Sequence, residues 1–292
     1  MQNKKGKIYL ILSALMYAVV PVLSKFVYDG GANGMTLAFL QAALAVPLLF
    51  LLLRANGISL KLTREQLRHV LILSLLGGAM PLACLAGAYR FISMDFASSL
   101  HFIYPLTVIL SCVFFNHEKI TTKQMLAAIF ITLGIFLFMN IQSMTNKAGI
   151  ILALLSGVFY GFYILYMNRS GLDGMEYFKL TFYVSCITSG AVFLFGMAFG
   201  TVSFYLTPEA WGYAFLIAVI LSLGAIPLLQ AGIRYEGAAS AGILSALQPV
   251  ASIVFAAMLF GEEIRALQGA GMLLIMTGIL LGRRQGGKNV SR

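Results

Sequence analysis

Long apolar runs separated by short polar segments dominate the chain. Cutting the sequence at Lys, Arg, Asp and Glu leaves ten uncharged runs of at least 17 residues, and a helix needs about 17 to 25 residues to cross a bilayer. The runs are continuous, without the alternation that a membrane β-barrel shows. We predict an all-α integral membrane protein with ten transmembrane helices. The runs cover residues 8–24, 30–53, 70–89, 96–116, 124–146, 148–168, 180–208, 210–233, 237–261 and 266–282.

Polar and helix-breaking residues recur at a fixed distance along the chain. Five identical pairs are 144 residues apart: Arg90 and Arg234, Pro105 and Pro249, Glu118 and Glu262, Gln124 and Gln268, Gly134 and Gly278. A second set of pairs is 143 residues apart: Gly6 and Gly149, Ser13 and Ser156, Tyr17 and Tyr160. This regularity indicates a duplication, with a first repeat at 1–143 and a second at 144–292. Because five helices is an odd number, the repeats must be inverted relative to each other.

The charged residues support a membrane location and set the expected topology. Only 10% of residues are charged, against roughly 25% in soluble domains, and the mean hydropathy is +0.91. With a cytoplasmic N-terminus, 16 of the 20 Lys and Arg residues fall on the inner side, and only Lys25, Arg90, Lys147 and Arg265 on the outer side. This is the positive-inside pattern. We expect a multi-pass protein of the cytoplasmic membrane with both termini cytoplasmic, and the net charge of +10 does not indicate nucleic acid.

The ionisable residue deepest inside a run is His101. It lies about two helical turns within an otherwise uncharged run, and its repeat counterpart is Ser245. Ionisable groups inside a membrane are costly and face a cavity or an internal partner. Two interpretations stay open, namely an imidazole that hydrogen-bonds between helices and one that contacts a substrate or a proton.

Further polar side chains inside the runs complete a candidate substrate site. Tyr104 and Gln248 each precede one of the paired prolines, and several tyrosines lie on the faces of the first and sixth runs. The candidate substrate-binding residues are Tyr17, Gln41, Tyr89, His101, Tyr104, Tyr160, Tyr163, Gln230, Ser245 and Gln248. The cysteines Cys84, Cys112 and Cys186 have no metal-type spacing, so no metal or cofactor is expected.

The segments around the two prolines resemble the EamA domain of the drug/metabolite transporter superfamily. They read A-S-S-L-x3-Y-P-L…E at 97–118 and A-G-I-L-x3-Q-P-V…G-E-E…Q…G…G at 241–278. The resemblance covers nearly the whole chain. It implies a ten-helix inverted-repeat carrier with a central cavity lined by helices one, three, four, six, eight and nine. The first helix lacks the glutamate on which small multidrug relatives rely.

The expected function is secondary transport of a small polar or aromatic metabolite by alternating access, with export as the commoner direction among such carriers. An alternative is uptake of a quaternary amine such as choline, held by tyrosine rings. A membrane-embedded enzyme would need a nucleophile, base or metal set that the sequence does not supply. A purely structural membrane protein would leave the duplication unexplained. The expected partners are a small-molecule substrate, the lipid bilayer and protons as a candidate coupling ion, and the expected assembly is a monomer or homodimer.

Overall fold

Fourteen α-helices and no strand form from the residues that the computed structural model describes, 2–114, 121–138 and 146–282. Glu118 and the expected boundary between the repeats at 143 and 144 lie outside these residues. The helices are α1 (Gln2–Asp29), α2 (Gly34–Ala43), α3 (Ala45–Ala55), α4 (Arg64–Ile72), α5 (Met80–Ala88), α6 (Met94–His101), α7 (Tyr104–Phe114), α8 (Thr122–Phe136), α9 (Lys147–Arg169), α10 (Tyr177–Ala198), α11 (Pro208–Val219), α12 (Ile226–Ser245), α13 (Leu247–Phe260) and α14 (Ala266–Gly282).

Most of these helices are long and apolar enough to cross a membrane. Seven stretches of the described residues qualify by length and hydropathy: Lys4–Asp29, Gly34–Ala55, Arg64–Ala88, Met94–Val113, Lys147–Arg169, Tyr177–Ala198 and Pro208–Ser245. Three shorter apolar helices are α8, α13 and α14. The stretch that ends at Ser245 is 38 residues long and is kinked at Gly237, whose φ of 80° favours glycine. The protein is therefore an all-helical, multi-pass membrane protein.

Two of the repeated residue pairs have equivalent structural roles. The side-chain carbonyl of Gln124 accepts from the backbone N–H of Thr121 at 3.0 Å, and that of Gln268 accepts from Arg265 at 2.9 Å. Both contacts satisfy a free N–H at a helix start. A Cβ on Gly134 would lie 2.6 Å from the carbonyl oxygen of Gly271, and one on Gly278 would lie 2.8 Å from that of Ala127, so α8 and α14 touch at their backbones.

The helices are interrupted before four prolines. A π-helical segment, Leu73–Ala79, precedes Pro81, and a second one, Ile220–Ala225, precedes Pro227. Likewise two residues separate the end of α6 from the start of α7, which contains Pro105. A break at residue 246 precedes α13, which contains Pro249. Proline lacks an N–H and is tolerated in the first turn of a helix, which explains these positions. Pro21 is different, because α1 continues through it unbroken.

One end of the bundle, which we call the near end, is where α1 begins. A Cβ on Gly6 of α1 would lie 2.6 Å from the Cβ of Tyr235, close to the kink of α12. The ammonium of Lys179, at the start of α10, donates to the carbonyl of Lys61 at 2.7 Å. His69 of α4 lies 2.7 Å from the hydroxyl of Tyr166, near the finish of α9. The ring of His69 is half-buried against this tyrosine.

The opposite end, which we call the far end, is where α1 finishes. Lys25 forms an ion pair with Glu262 at 3.2 Å, after the finish of α13. The amide of Asn33 donates to the carbonyl of Thr201 beyond α10, at 2.7 Å. Gly149, near the start of α9, packs against the turn that follows α5, where a Cβ would lie 2.8 Å from that of Phe91. Thus α1 begins at the near end, whereas α9 begins at the far end.

Packing differs between the two ends. At the near end α12 packs against both α7 and α9. The repeat counterparts of these contacts would join α5 and α6 to α13 and to α1, and among the described residues those pairs make marginal contact at most. The helix bundle is closed at the near end and less tightly packed at the far end.

Candidate functional site

Two glycines of α9 allow this helix to cross the break between α6 and α7 at close range. A Cβ on Gly157 would lie 2.5 Å from the backbone oxygen of His101, and one on Gly161 would collide with the hydroxyl of Thr107. The small residues on this face of α9 thus permit close helix contact. The side chains that flank the break, His101 and Tyr104, are consequently held against α9.

His101 is tied to α9 through a serine. Its Nδ1 lies 2.8 Å from the hydroxyl oxygen of Ser156, and that hydroxyl donates to the carbonyl of Ala153 at 2.7 Å. Because the single hydroxyl hydrogen of Ser156 is used, the network assigns the ring proton to Nδ1 and leaves Nε2 as an acceptor. The imidazole centroid is 5.4 Å from that of Tyr160 and 5.8 Å from that of Tyr104.

Two pairs of repeat counterparts contact each other in this region. The hydroxyl of Tyr104 donates to the side-chain oxygen of Gln248 at 3.5 Å, and Tyr104 also interacts with Ser245. Tyr17 interacts through its hydroxyl with Tyr160. Residues that touch their own counterparts lie where the two halves of the chain meet.

A buried hydrogen-bonded chain extends from this region towards the near end. The carboxamide of Gln230 donates to the hydroxyl of Tyr163 at 3.1 Å. The hydroxyl of Thr181 donates to the carbonyl of Tyr177 at 2.8 Å and lies 3.4 Å from the oxygen of the same carboxamide. Gln230 and Thr181 are completely buried. The ring of Tyr163 is parallel to that of Tyr160, at a centroid distance of 6.1 Å.

The structure thus brings eight of the ten predicted site residues into one group, which we call the tyrosine cluster: Tyr17, His101, Tyr104, Tyr160, Tyr163, Gln230, Ser245 and Gln248. The other two lie elsewhere. The hydroxyl of Tyr89 is 3.2 Å from that of Ser98 near the far end, and Gln41 lies half-buried on α2 without a described hydrogen bond to the cluster.

Sequence reasoning did not select Ser156 or Thr181 as site residues. Ser156 was recognisable from its helix face, four residues before Tyr160. Thr181 gave no such signal, because a lone threonine in an apolar helix is ordinary.

The tyrosine cluster contains no residue with a formal charge. It offers ring faces, hydroxyls, carboxamides and one imidazole, and no group of His, Cys, Asp and Glu in the described part of the chain could hold a metal ion. An anion would lose its hydration here without gaining a counter-ion, which is costly. A cation would gain about 0.5 to 2 kcal/mol from each suitably placed ring. The chemistry suits neutral, zwitterionic or singly cationic solutes.

A separate apolar groove of about 690 Å³ runs along the outside of α1, α13 and α14. Leu15, Val254 and Met272 are among its lining residues. Because its lining is apolar and its helices cross the membrane, this groove suits acyl chains and not a polar solute.

Comparison with known proteins agrees with this architecture. Residues 4–140 and 147–283 each match the profile of the EamA-like transporter family. The chain belongs to this family. An uncharacterized transporter of Archaeoglobus fulgidus is 23% identical over 280 residues, covering 96% of this chain and 97% of the relative. A solved structure described only as the crystal structure of a protein has a TM-score of 0.80 at 15% identity, covering 95% of this chain and 97% of the other, which shows a shared fold.

Membership of the EamA-like transporter family confirms the resemblance of the segments around Pro105 and Pro249. It makes transport across a membrane the activity of this chain, in preference to catalysis. The tyrosine cluster of this EamA-like protein is therefore the candidate binding site for a transported solute.

Proposed function

We propose that the protein is a secondary transporter that moves a small polar or aromatic metabolite, such as an amino-acid-like compound, out across the cytoplasmic membrane by alternating access. The observation that carries the proposal is the position of the uncharged tyrosine cluster. It lies where the two halves of the chain meet, between a closed near end and a loosely packed far end.

The proposal includes ten membrane crossings arranged as two inverted repeats. Dividing the longest stretch at Gly237, joining its second part to α13 as one broken span, and counting α8 and α14 gives ten helical spans. The opposite directions of α1 and α9 support inversion. Because Lys4, Lys5 and Lys7 precede the span of α1 and 16 basic residues share the expected inner side, we infer that the near end is cytoplasmic.

Alternating access follows if the two repeats exchange their packing. In the present state α12 contacts α7 and α9, which closes the path to the near end. Exchange would break these contacts and form their counterparts, bringing α13 and α1 onto α5 and α6 and closing the far end. The solute would then be released at the side opposite to its entry.

A pair of matched disulfides tests the exchange. A Cβ on Gly242 would lie 3.3 Å from the Cβ of Val108, close to the ~3.8 Å typical of a disulfide. Gly242→Cys with Val108→Cys should therefore lock the near end shut. Their repeat counterparts are Ser98 and Ser252, so Ser98→Cys with Ser252→Cys should lock the far end. Both disulfides should stop transport and both should be reversed by reduction. Failure of the second pair to form would overturn alternating access between these surfaces.

The identity of the substrate is tested by measuring counterflow in liposomes with a panel of amino acids, nucleobases and amines. We expect counterflow with neutral or zwitterionic compounds and none with phosphorylated or dicarboxylic ones, because the cluster lacks positive charge. The alternative of quaternary amine uptake is favoured by one observation, the convergence of the rings of Tyr17, Tyr104, Tyr160 and Tyr163. Choline counterflow with no response to amino acids would select that alternative.

A further inference from the structure

We propose that the chain Tyr163, Gln230 and Thr181 is a lock that holds the near end closed and makes the far-open form the resting state of the empty carrier. This inference rests on the proposed function, in that it assumes two repeats that alternate. It assigns these residues a role distinct from contact with the substrate.

The lock crosses the interface that must open at the near end. Tyr163 belongs to α9, Gln230 to α12 and Thr181 to α10, and the packing of α9 against α12 is one of the contacts without an equivalent at the far end. The nitrogen of Gln230 donates to Tyr163, and this is the principal bond of the lock. Its oxygen faces the hydroxyl of Thr181, whose shorter hydrogen bond is to Tyr177 of its own helix. Separation of α9 from α12 would leave a buried carboxamide without these partners, which opposes opening.

The repeat counterparts of all three residues are unable to form such a chain. Tyr163 corresponds to Val20, at the distance of 143 residues that relates α1 to α9. Gln230 corresponds to Cys84, since each lies three residues after one of the equivalent prolines Pro227 and Pro81.

Thr181 corresponds to Ala38, since each lies five residues after the N-cap of its helix, Glu176 for α10 and Asn33 for α2. Valine, cysteine and alanine offer no comparable hydrogen bonds. Closure of the far end therefore lacks the stabilisation that closure of the near end has.

The remaining hydrogen bonds between repeat counterparts give no such bias. Tyr104 with Gln248, and Tyr17 with Tyr160, are pairs that map onto themselves when the repeats exchange roles. Such contacts form in both states and therefore do not change the free-energy difference between the two states. The three-residue chain has no equivalent in the other state, so it stabilises the state with the near end closed.

The test compares the rates at which the two engineered disulfides form without any substrate. The parent has Cys84, Cys112 and Cys186 replaced by Ala and carries either the near-end pair at 108 and 242 or the far-end pair at 98 and 252. Tyr163→Phe and Thr181→Val each remove one hydroxyl without changing the shape of the side chain. Thr132→Val is the matched control, since the Thr132 hydroxyl, like that of Thr181, donates to a carbonyl four residues earlier in its own helix, but it has no described hydrogen bond to another helix.

We expect Tyr163→Phe to raise the ratio of far-end to near-end disulfide formation about tenfold, the change that corresponds to one buried hydrogen bond of ~1.4 kcal/mol. Thr181→Val should shift the ratio in the same direction by less, because the Thr181 hydroxyl is nearer to Tyr177 than to Gln230, and Thr132→Val should leave it unchanged. An unchanged ratio in both lock variants overturns the lock while alternation stands, provided that the far-end disulfide forms in the parent. If that disulfide forms in no variant, alternation and the lock are overturned together.

A gain-of-function variant separates a lock from a substrate ligand. Val20→Tyr with Cys84→Gln places the two main elements of the lock at the far end. It should stabilise closure of the far end and bring the ratio of far-end to near-end disulfide formation close to one. A substrate ligand would instead change the affinity for solute and leave the empty-state ratio of disulfide formation unaltered in Tyr163→Phe, and that result would reject the lock.

Discussion

Tyr104 and Gln248 occupy equivalent positions in the two repeats, and the hydroxyl of one donates to the carboxamide of the other at 3.5 Å. Each residue stands immediately before a proline that opens the second part of a broken span. Under the proposed exchange of the two repeats, Tyr104 and Gln248 would trade places, so this bond would be preserved in both states.

Tyr104→Phe should therefore weaken solute binding without changing the balance between states. Loss of one hydroxyl at the cluster is worth about 1 kcal/mol, so we expect the half-saturation concentration to rise about fivefold. The ratio of near-end to far-end disulfide formation should stay at the parent value. Tyr163→Phe is the contrasting variant, since it should change that ratio. A shift in the ratio for Tyr104→Phe would mean that its bond belongs to one state only.

Gly157→Ala should disrupt the protein because the added methyl group would meet backbone atoms. Its Cβ would lie 2.5 Å from the carbonyl oxygen of His101, which cannot rotate away. We expect a loss of about 1 to 3 kcal/mol in stability, seen as a lower melting temperature in detergent. Gly190→Ala on α10 is the control, because a Cβ there meets nothing within 4 Å. Equal melting temperatures for the two variants would contradict the close packing of α9 against the break.

The long apolar runs predicted an all-helical membrane protein, and this prediction is confirmed because runs of this length constrain helices directly. Eight of the ten candidate site residues lie together in the tyrosine cluster, and their role in binding stays a prediction. Tyr89 illustrates the limit. It belongs to the same span as Pro81, but eight residues separate them, and that distance places its hydroxyl beside Ser98 near the far end. The sequence shows which residues are polar, whereas depth and rotation of each helix depend on packing at residues such as Gly157.

Topology is testable with single cysteines, in a protein whose native cysteines have been replaced. Positions 4 and 288 should be protected from an impermeant thiol reagent in intact cells, because both termini are expected in the cytoplasm. Position 118, which lies outside the described residues, should be protected as well. Glu262→Cys should react, since its side chain is 55% exposed at the far end. Reaction at position 288 in intact cells would invert the assignment of the two ends.

His101→Gln tests whether the imidazole of the cluster takes up a proton during transport. His is the side chain whose ordinary titration lies closest to neutral pH, and the Nε2 of His101 remains an acceptor while Nδ1 binds Ser156. Gln preserves hydrogen bonding and removes titration, so a proton role predicts a folded variant whose transport rate no longer varies with pH. Ser156→Ala is the companion variant, since it removes the partner of Nδ1 and keeps the imidazole. We expect it to lower the melting temperature while the pH dependence persists. An unaltered pH profile in His101→Gln, together with a lower melting temperature, would assign His101 to the contact between α6 and α9 and exclude the proton role.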